Sequence, residues 1–200
     1  MKLINFLIIT LCFFFTSCND EDFWEISSNS SIEYKVDNIA FQFCLVDENE
    51  NPSTKFRKGE YFSFYFKMTN LSEHTIIIDA NFFTDDFFMV YNRKNKKVGK
   101  PWTGAFCAFS LDPRTIEILP KESKTIQLPW YLNLHSTTNE NFHYSTSYPF
   151  CKVLDKESVE DTLYVGEYTC KFPIDLLIYT KNGKEEKINN LFFAINFKIE

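Results

Sequence analysis

Apolar and polar residues alternate one by one along much of this chain. Ile39, Phe41, Phe43 and Leu45 are separated by Ala40, Gln42 and Cys44, and Phe62, Phe64, Phe66 and Met68 by Ser63, Tyr65 and Lys67. A period of two sends neighbouring side chains to opposite faces of a pleated strand, so each stretch predicts a strand with one buried face. Further strands are expected at 75–79, 87–91, 105–110, 115–119, 124–128, 166–172, 176–179 and 191–199. Turn signals lie between them, among them Asn70-Leu71-Ser72-Glu73, Leu119-Pro120-Lys121-Glu122 and Lys181-Asn182-Gly183-Lys184. No segment carries a helical stripe of useful length. Many short strands with regular turns predict an all-β fold, an antiparallel β-sandwich.

The first residues break this pattern. Met1-Lys2 is followed by an apolar run from Leu3 to Phe15, then by Thr16-Ser17-Cys18. A charged start, a short apolar core and small residues before a cleavage point make a secretory signal, too short for an ordinary membrane span. The ending Phe15-Thr16-Ser17-Cys18 resembles a bacterial lipobox, which implies that Cys18 becomes the acylated first residue of the mature protein. Asn19 and the acidic Asp20, Glu21 and Asp22 resemble the surface-export signal of Bacteroidetes lipoproteins. That resemblance implies an outer-membrane lipoprotein facing outward, with the periplasmic face as the alternative. Acyl chains contribute about 0.8 kcal/mol per buried methylene, enough in combination to hold a domain at a membrane. The expected organisation is a signal peptide at 1–17, an acylated cysteine and flexible acidic tether at 18–31, and a single domain at 32–200 with a long insertion near 131–165.

Charge and composition then exclude more than they assign. The net charge is −6 and the basic residues are scattered, which leaves no electrostatic footprint for nucleic acid. The abundant phenylalanine matches an AT-rich coding bias, and its placement is that of sheet cores rather than of a cofactor site. There is no Gly-x-Ser-x-Gly elbow, no His-Glu-x-x-His helix and no Gly-rich phosphate loop, so neither catalysis nor a cofactor is expected. No metal site is expected either, because His135 and His143 fall in one polar, aromatic stretch without a third ligand placed by spacing. That stretch is the candidate binding loop. Tyr131, His135, Phe142, His143, Tyr144 and Tyr148 sit among Ser, Thr and Asn, a mixture in which rigid aromatics supply contact area and small polar residues adapt. The alternative is an extra hairpin folded back onto the sandwich. Within the same insertion, Asp161-Thr162-Leu163 resembles the O-glycosylation acceptor sequence of Bacteroidetes secreted proteins, with Thr162 as the acceptor.

The order of elements carries one further resemblance. The run from Phe62 to Asn70, then Thr75-Ile76-Ile77-Ile78, Asp86 to Tyr91, Val98 to Trp102, Ile118 to Ser123, Trp130 and Gly166-Glu167-Tyr168 resembles the immunoglobulin-like family named for a Bacillus intracellular proteinase inhibitor. It covers roughly residues 58–180 and implies an immunoglobulin-like sandwich. Gly166-Glu167-Tyr168-Thr169-Cys170 also looks like a tyrosine corner, in which the Tyr hydroxyl bonds backbone. Four cysteines remain behind the tether, Cys44, Cys107, Cys151 and Cys170, and their number permits two disulfides in three connectivities, or free thiols. The immunoglobulin resemblance implies Cys44 with Cys170, which leaves Cys107 for Cys151. The function expected from all of this is a non-enzymatic, membrane-anchored protein that binds a protein or glycan at the cell envelope. A proteinase inhibitor, and a protective lipoprotein that neutralises a toxin, are the alternatives. Oligomeric state is left open.

Overall fold

The computed structural model describes residues 30–84, 86–101, 115–130 and 163–200. Along them run β1 (Ser31–Val36), β2 (Ile39–Asp47), β3 (Lys55–Phe56), β4 (Phe62–Asn70), β5 (Ile76–Asp79), β6 (Val90–Asn92), β7 (Lys97–Gly99), β8 (Thr115–Ile118), β9 (Ser123–Pro129), β10 (Gly166–Lys181) and β11 (Lys184–Ile199), with a single 3-10 turn at Ala80–Phe82. They form two sheets, one in the order β1-β2-β4-β9 and one in the order β3-β11-β10-β5-β8, with β6 beside β10 and β7 beside β6. Every pairing is antiparallel except β3 on β11. The fold is an antiparallel β-sandwich. Its β2-β4-β9 and β11-β10-β5 strand order corresponds to the A-B-E and G-F-C strands of an immunoglobulin-like sandwich.

Phenylalanine holds the two sheets together. Phe43 and Phe66 meet Phe172 and Phe193 across the interior with ring centroids 5.0 to 6.3 Å apart, all edge to face. Edge-to-face pairs place a ring's positive rim on its neighbour's negative face, worth about 1 kcal/mol beyond the area buried. Four more rings enter from the connection after β5. Phe87 lies 4.3 Å from Phe172, Phe83 stacks on Phe87 at 4.2 Å, Phe82 flanks Phe87, and Phe88 stacks between Phe43 and Phe64.

Several elements differ from the sequence expectation: β3 and β7 were not among the expected strands, and the strand expected at 105–110 lies outside the described residues. Residues 87–91 were expected as one strand, but only Val90 onward pairs, because Phe87 and Phe88 turn inward and Phe88 takes a φ of 59°. Residues 31–36 form β1, hydrogen-bonded along β2, so the sandwich begins at a residue assigned to the tether. The expected strands at 166–172 and 176–179 are one strand, β10, and the strand expected at 191–199 extends back to Lys184. Within that long hairpin the inward set changes parity. Ile174 and Leu177 both face the core, as do Leu191 and Ile188 opposite them, and Asn190 at the step has a φ of 58°. Asp175 and Asn190 therefore form a paired kink that bends both strands, the effect expected of a bulge.

The connections sort by length to the two ends of the sandwich. At one end lie Asp37-Asn38, Leu71 to Thr75, Leu119 to Glu122, and Asn182-Gly183. They are tied together by Asn70, whose Nδ2 donates to the carbonyls of His74 (2.7 Å), Ile118 (3.0 Å) and Leu119 (3.2 Å), while its Oδ1 accepts from the backbone N–H and hydroxyl of Ser72. The longer connections, 48–61 between β2 and β4, 80–114 between β5 and β8, and 130–165 between β9 and β10, leave from and return to strand ends at the other end. The chain also arrives from that end, since β1 runs antiparallel to β2 and Ser31 pairs with Cys44.

Candidate functional site

The end that gathers the long connections is the candidate site. A rigid sandwich that presents several long connections at one end is the usual way for a β-scaffold to carry recognition. The roots of the longest connection are both fixed. Trp130 follows β9, donates its backbone N–H to the Phe62 carbonyl at 3.2 Å and packs its ring 6.1 Å from Phe64. Leu163 is buried, and Tyr168 stacks on Phe197 at 5.6 Å and donates its hydroxyl to the Tyr164 carbonyl at 2.8 Å. That hydrogen bond is the tyrosine corner anticipated from the spacing, and it pins the chain just before β10. Burial raises the Tyr168 hydroxyl above its ordinary pKa, while its bond to the Tyr164 carbonyl opposes the shift. Phe62 and Phe197, 5.7 Å apart, join the two roots through the core.

On this floor stand the two most exposed large apolar residues of the described chain, Tyr164 (70 %) and Val165 (63 %). The Lys58 ammonium lies 5.7 Å from the Tyr164 ring centroid, a cation–π contact between the first long connection and the third. Beside them is an open depression of about 440 Å³ lined by Glu48, Lys55, Phe56, Arg57, Glu60 and Glu200. Phe56 forms its base by stacking on Phe62 at 4.5 Å, and Glu60 accepts from the Arg57 backbone N–H. A surface of mixed charge around exposed aromatic and aliphatic groups suits a polar partner with apolar contact points. Lys58 was not singled out from sequence; Tyr164 and Val165 fall at the end of the insertion expected near 131–165, although neither was named among the binding-loop residues.

The other sequence-predicted site residues divide sharply. Cys18, Asp20, Glu21, Asp22, Cys107, Tyr131, His135, Phe142, His143, Tyr144, Tyr148, Cys151 and Thr162 lie outside the described residues. The implied Cys44–Cys170 disulfide is corrected: both thiols are free and buried. The reason lies in the sheet. Cys170 points into the core from β10, whereas Cys44 alternates with the core residues Phe43 and Leu45 and faces the outer side of the other sheet. The strand in the partner position, β4, presents Phe62, Phe64, Phe66 and Met68 inward and no cysteine. Burial, with a smaller push from the Glu33 carboxylate, raises the Cys44 thiol to about 11, and burial alone raises Cys170 well above its ordinary value. Such thiols are protonated and poorly nucleophilic at neutral pH. Among the described residues no group of three His, Cys, Asp or Glu is arranged to hold a metal ion, and no helix is long and apolar enough to cross a membrane.

No family model and no curated protein matches this chain.

Proposed function

We propose that the protein is a lipid-anchored component of the bacterial cell envelope that binds a protein or glycan partner and does no chemistry on it. The observation that carries this reading is the segregation of connections: four tight turns at one end of the sandwich, the roots of three long connections at the other. Tight turns stabilise; long connections on a rigid base recognise. The N-terminal lipobox-like segment supports the address, and the acidic residues behind Cys18 support an outward orientation.

Two measurements test the parts separately. Protease shaving of intact host cells, with mass analysis of the mature N-terminus, reads the address: the expected result is an acylated Cys18 and loss of the domain from intact cells. Capture of a partner from envelope extracts reads the activity. The expected result is one partner retained by the wild-type domain and lost when residues 131–150 are replaced by a short linker. Retention of the same partner after that replacement would move recognition elsewhere on the domain. Proteinase inhibition is the second reading, suggested by the sequence resemblance to the Bacillus inhibitor family alone. Unchanged rates for a panel of serine and cysteine proteases at micromolar protein would remove it.

A further inference from the structure

The outer face of the second sheet, polar over most of its area, carries a strip of apolar residues. The kink at Asp175 and Asn190 turns Leu176 outward, so that Pro173, Leu176, Ile178 and Thr180 lie on the outward side of β10, with the exposed Asp175 between Pro173 and Leu176. Phe192 lies directly across from Pro173 on β11, and Ile77 lies across from Thr180 on β5. Phe192 is 51 % exposed, Leu176 42 % and Ile77 41 %. Singly exposed apolar residues need no account, but several on neighbouring strands of one face point to an interaction surface.

We propose that this face joins two copies of the chain in a two-fold dimer whose axis runs along β10. One row of charges beside the strip fits a second copy in one orientation, while Glu185 beside Thr180 and Glu117 beside Ile77 in the next row keep the contact weak. Lys187 on β11 sits beside Ile178, and Asp79, one step beyond the Tyr179–Ile78 pair, sits on the other side of Ile178 on β5. Lys187 and Asp79 thus lie in one row, to either side of the strip. A two-fold axis along β10 exchanges the two sides, placing Lys187 of each copy over Asp79 of the other and stacking the apolar strip on itself. An axis along the row, perpendicular to the strands, would place lysine over lysine and aspartate over aspartate. A self-complementary patch of this kind is what a two-fold interface requires. Both groups would exchange exposed partners of their own chain on pairing: Lys187 meets Glu185 at 3.2 Å across a half-exposed surface, and Asp79 accepts from the backbone and side-chain amides of Asn81.

The chosen axis also keeps strand direction. Both copies then point the end where Ser31 begins β1 the same way, so two chains tethered at that end reach one membrane surface. The segment from Cys18 to Ser30 spans about 40 Å when extended, ample for both. The footprint sets the strength. Three strands about 4.8 Å apart, followed for eight residues, cover on the order of 400 Å² per copy, below the size of a stable specific interface. The dimer is therefore weak and concentration-dependent, and two-dimensional confinement by a common membrane favours it.

Sedimentation velocity on the complete mature chain, with Cys18 left unacylated, reads this directly. A monomer–dimer equilibrium is expected across a micromolar to millimolar series. Leu176→Asp and Lys187→Asp are each expected to raise the dissociation constant about tenfold or more. The double swap Lys187→Asp with Asp79→Lys is expected to restore most of the affinity lost by the single charge reversal, with circular dichroism confirming that each variant is folded. Monomer at every concentration overturns the proposal. A dimer unaffected by Leu176→Asp in a folded protein overturns the assigned face, and a dimer broken by Leu176→Asp but not weakened by Lys187→Asp overturns the assigned axis.

Discussion

Asn70 shows how much a single buried amide can organise. Its side chain closes the last residue of β4 onto the turns at 71–75 and 119–122, using both of its hydrogen-bonding ends at full burial. Asn70→Ala leaves several buried carbonyl and hydroxyl groups without their partner, each costing about 1–3 kcal/mol. A loss of roughly 3 kcal/mol in urea unfolding is expected, with the slope of the transition unchanged. Asn70→Asp keeps the shape and loses the donors, and a loss of similar size is the check that hydrogen bonding rather than packing is responsible. The two thiols give a second prediction at this scale. Because the native state holds Cys44 and Cys170 protonated to higher pH than the unfolded chain does, the native state binds more protons above pH 9.0, the ordinary value for these thiols. Stability is then constant through neutral pH and falls as pH rises from 9.0 towards 11. Unfolding midpoints measured across that range test it, and Cys44→Ala with Cys170→Ala should flatten the decline, the tyrosines raised by burial contributing the remainder. The spacing of Tyr168 before Cys170 made its role legible; the facing of Cys44 was legible too, and spoke against the disulfide that the resemblance implied.

At the scale of elements, alternation identified β2, β4, β5, β8 and β9 because each has one face in the core and one outside. It failed where that condition fails. Phe87 and Phe88 are consecutive and both buried, so they read as strand while they turn inward. The β10–β11 hairpin read as separate strands because the kink at Asp175 and Asn190 shifts the inward set by one residue. β1 escaped notice because its apolar residues, Ile32, Tyr34 and Val36, lie on an edge strand among polar neighbours; Tyr34 nevertheless closes the side of the sandwich, donating its hydroxyl to the Phe192 carbonyl at 2.8 Å. The turn joining the hairpin was read correctly. Asn182 and Gly183 both have positive φ, 52° and 73°, as a two-residue primed turn requires. A Cβ at Gly183 would meet nothing within 4 Å, so Gly183→Ala isolates backbone strain from crowding. About 1 kcal/mol of destabilisation is expected, with unchanged near-ultraviolet circular dichroism. Asn190→Val places a β-branched residue at a φ of 58° and should cost about 2 kcal/mol, whereas Asn190→Gly should be tolerated.

For the whole molecule, the all-β sandwich was legible from pattern, since two-residue periodicity with regular turns leaves few other architectures. The site was legible only as a place. An excess of sequence between β9 and β10 marked one connection, but that its roots share an end of the sandwich with those of 48–61 and 80–114 comes from the strand order, which depends on long-range pairing that no local pattern encodes. Lys58 and Tyr164 meet across more than a hundred residues for the same reason.

The central claim is that recognition belongs to the end of the sandwich bearing the long connections. Its most direct test is site-specific photo-crosslinking in host cells, with the reactive residue at Tyr164 on that end or at Leu119 on the opposite one, both exposed side chains. The account predicts a discrete crosslinked partner from Tyr164 that is absent from Leu119. A partner captured from Leu119, or none from Tyr164 with the protein present at native abundance, would contradict it.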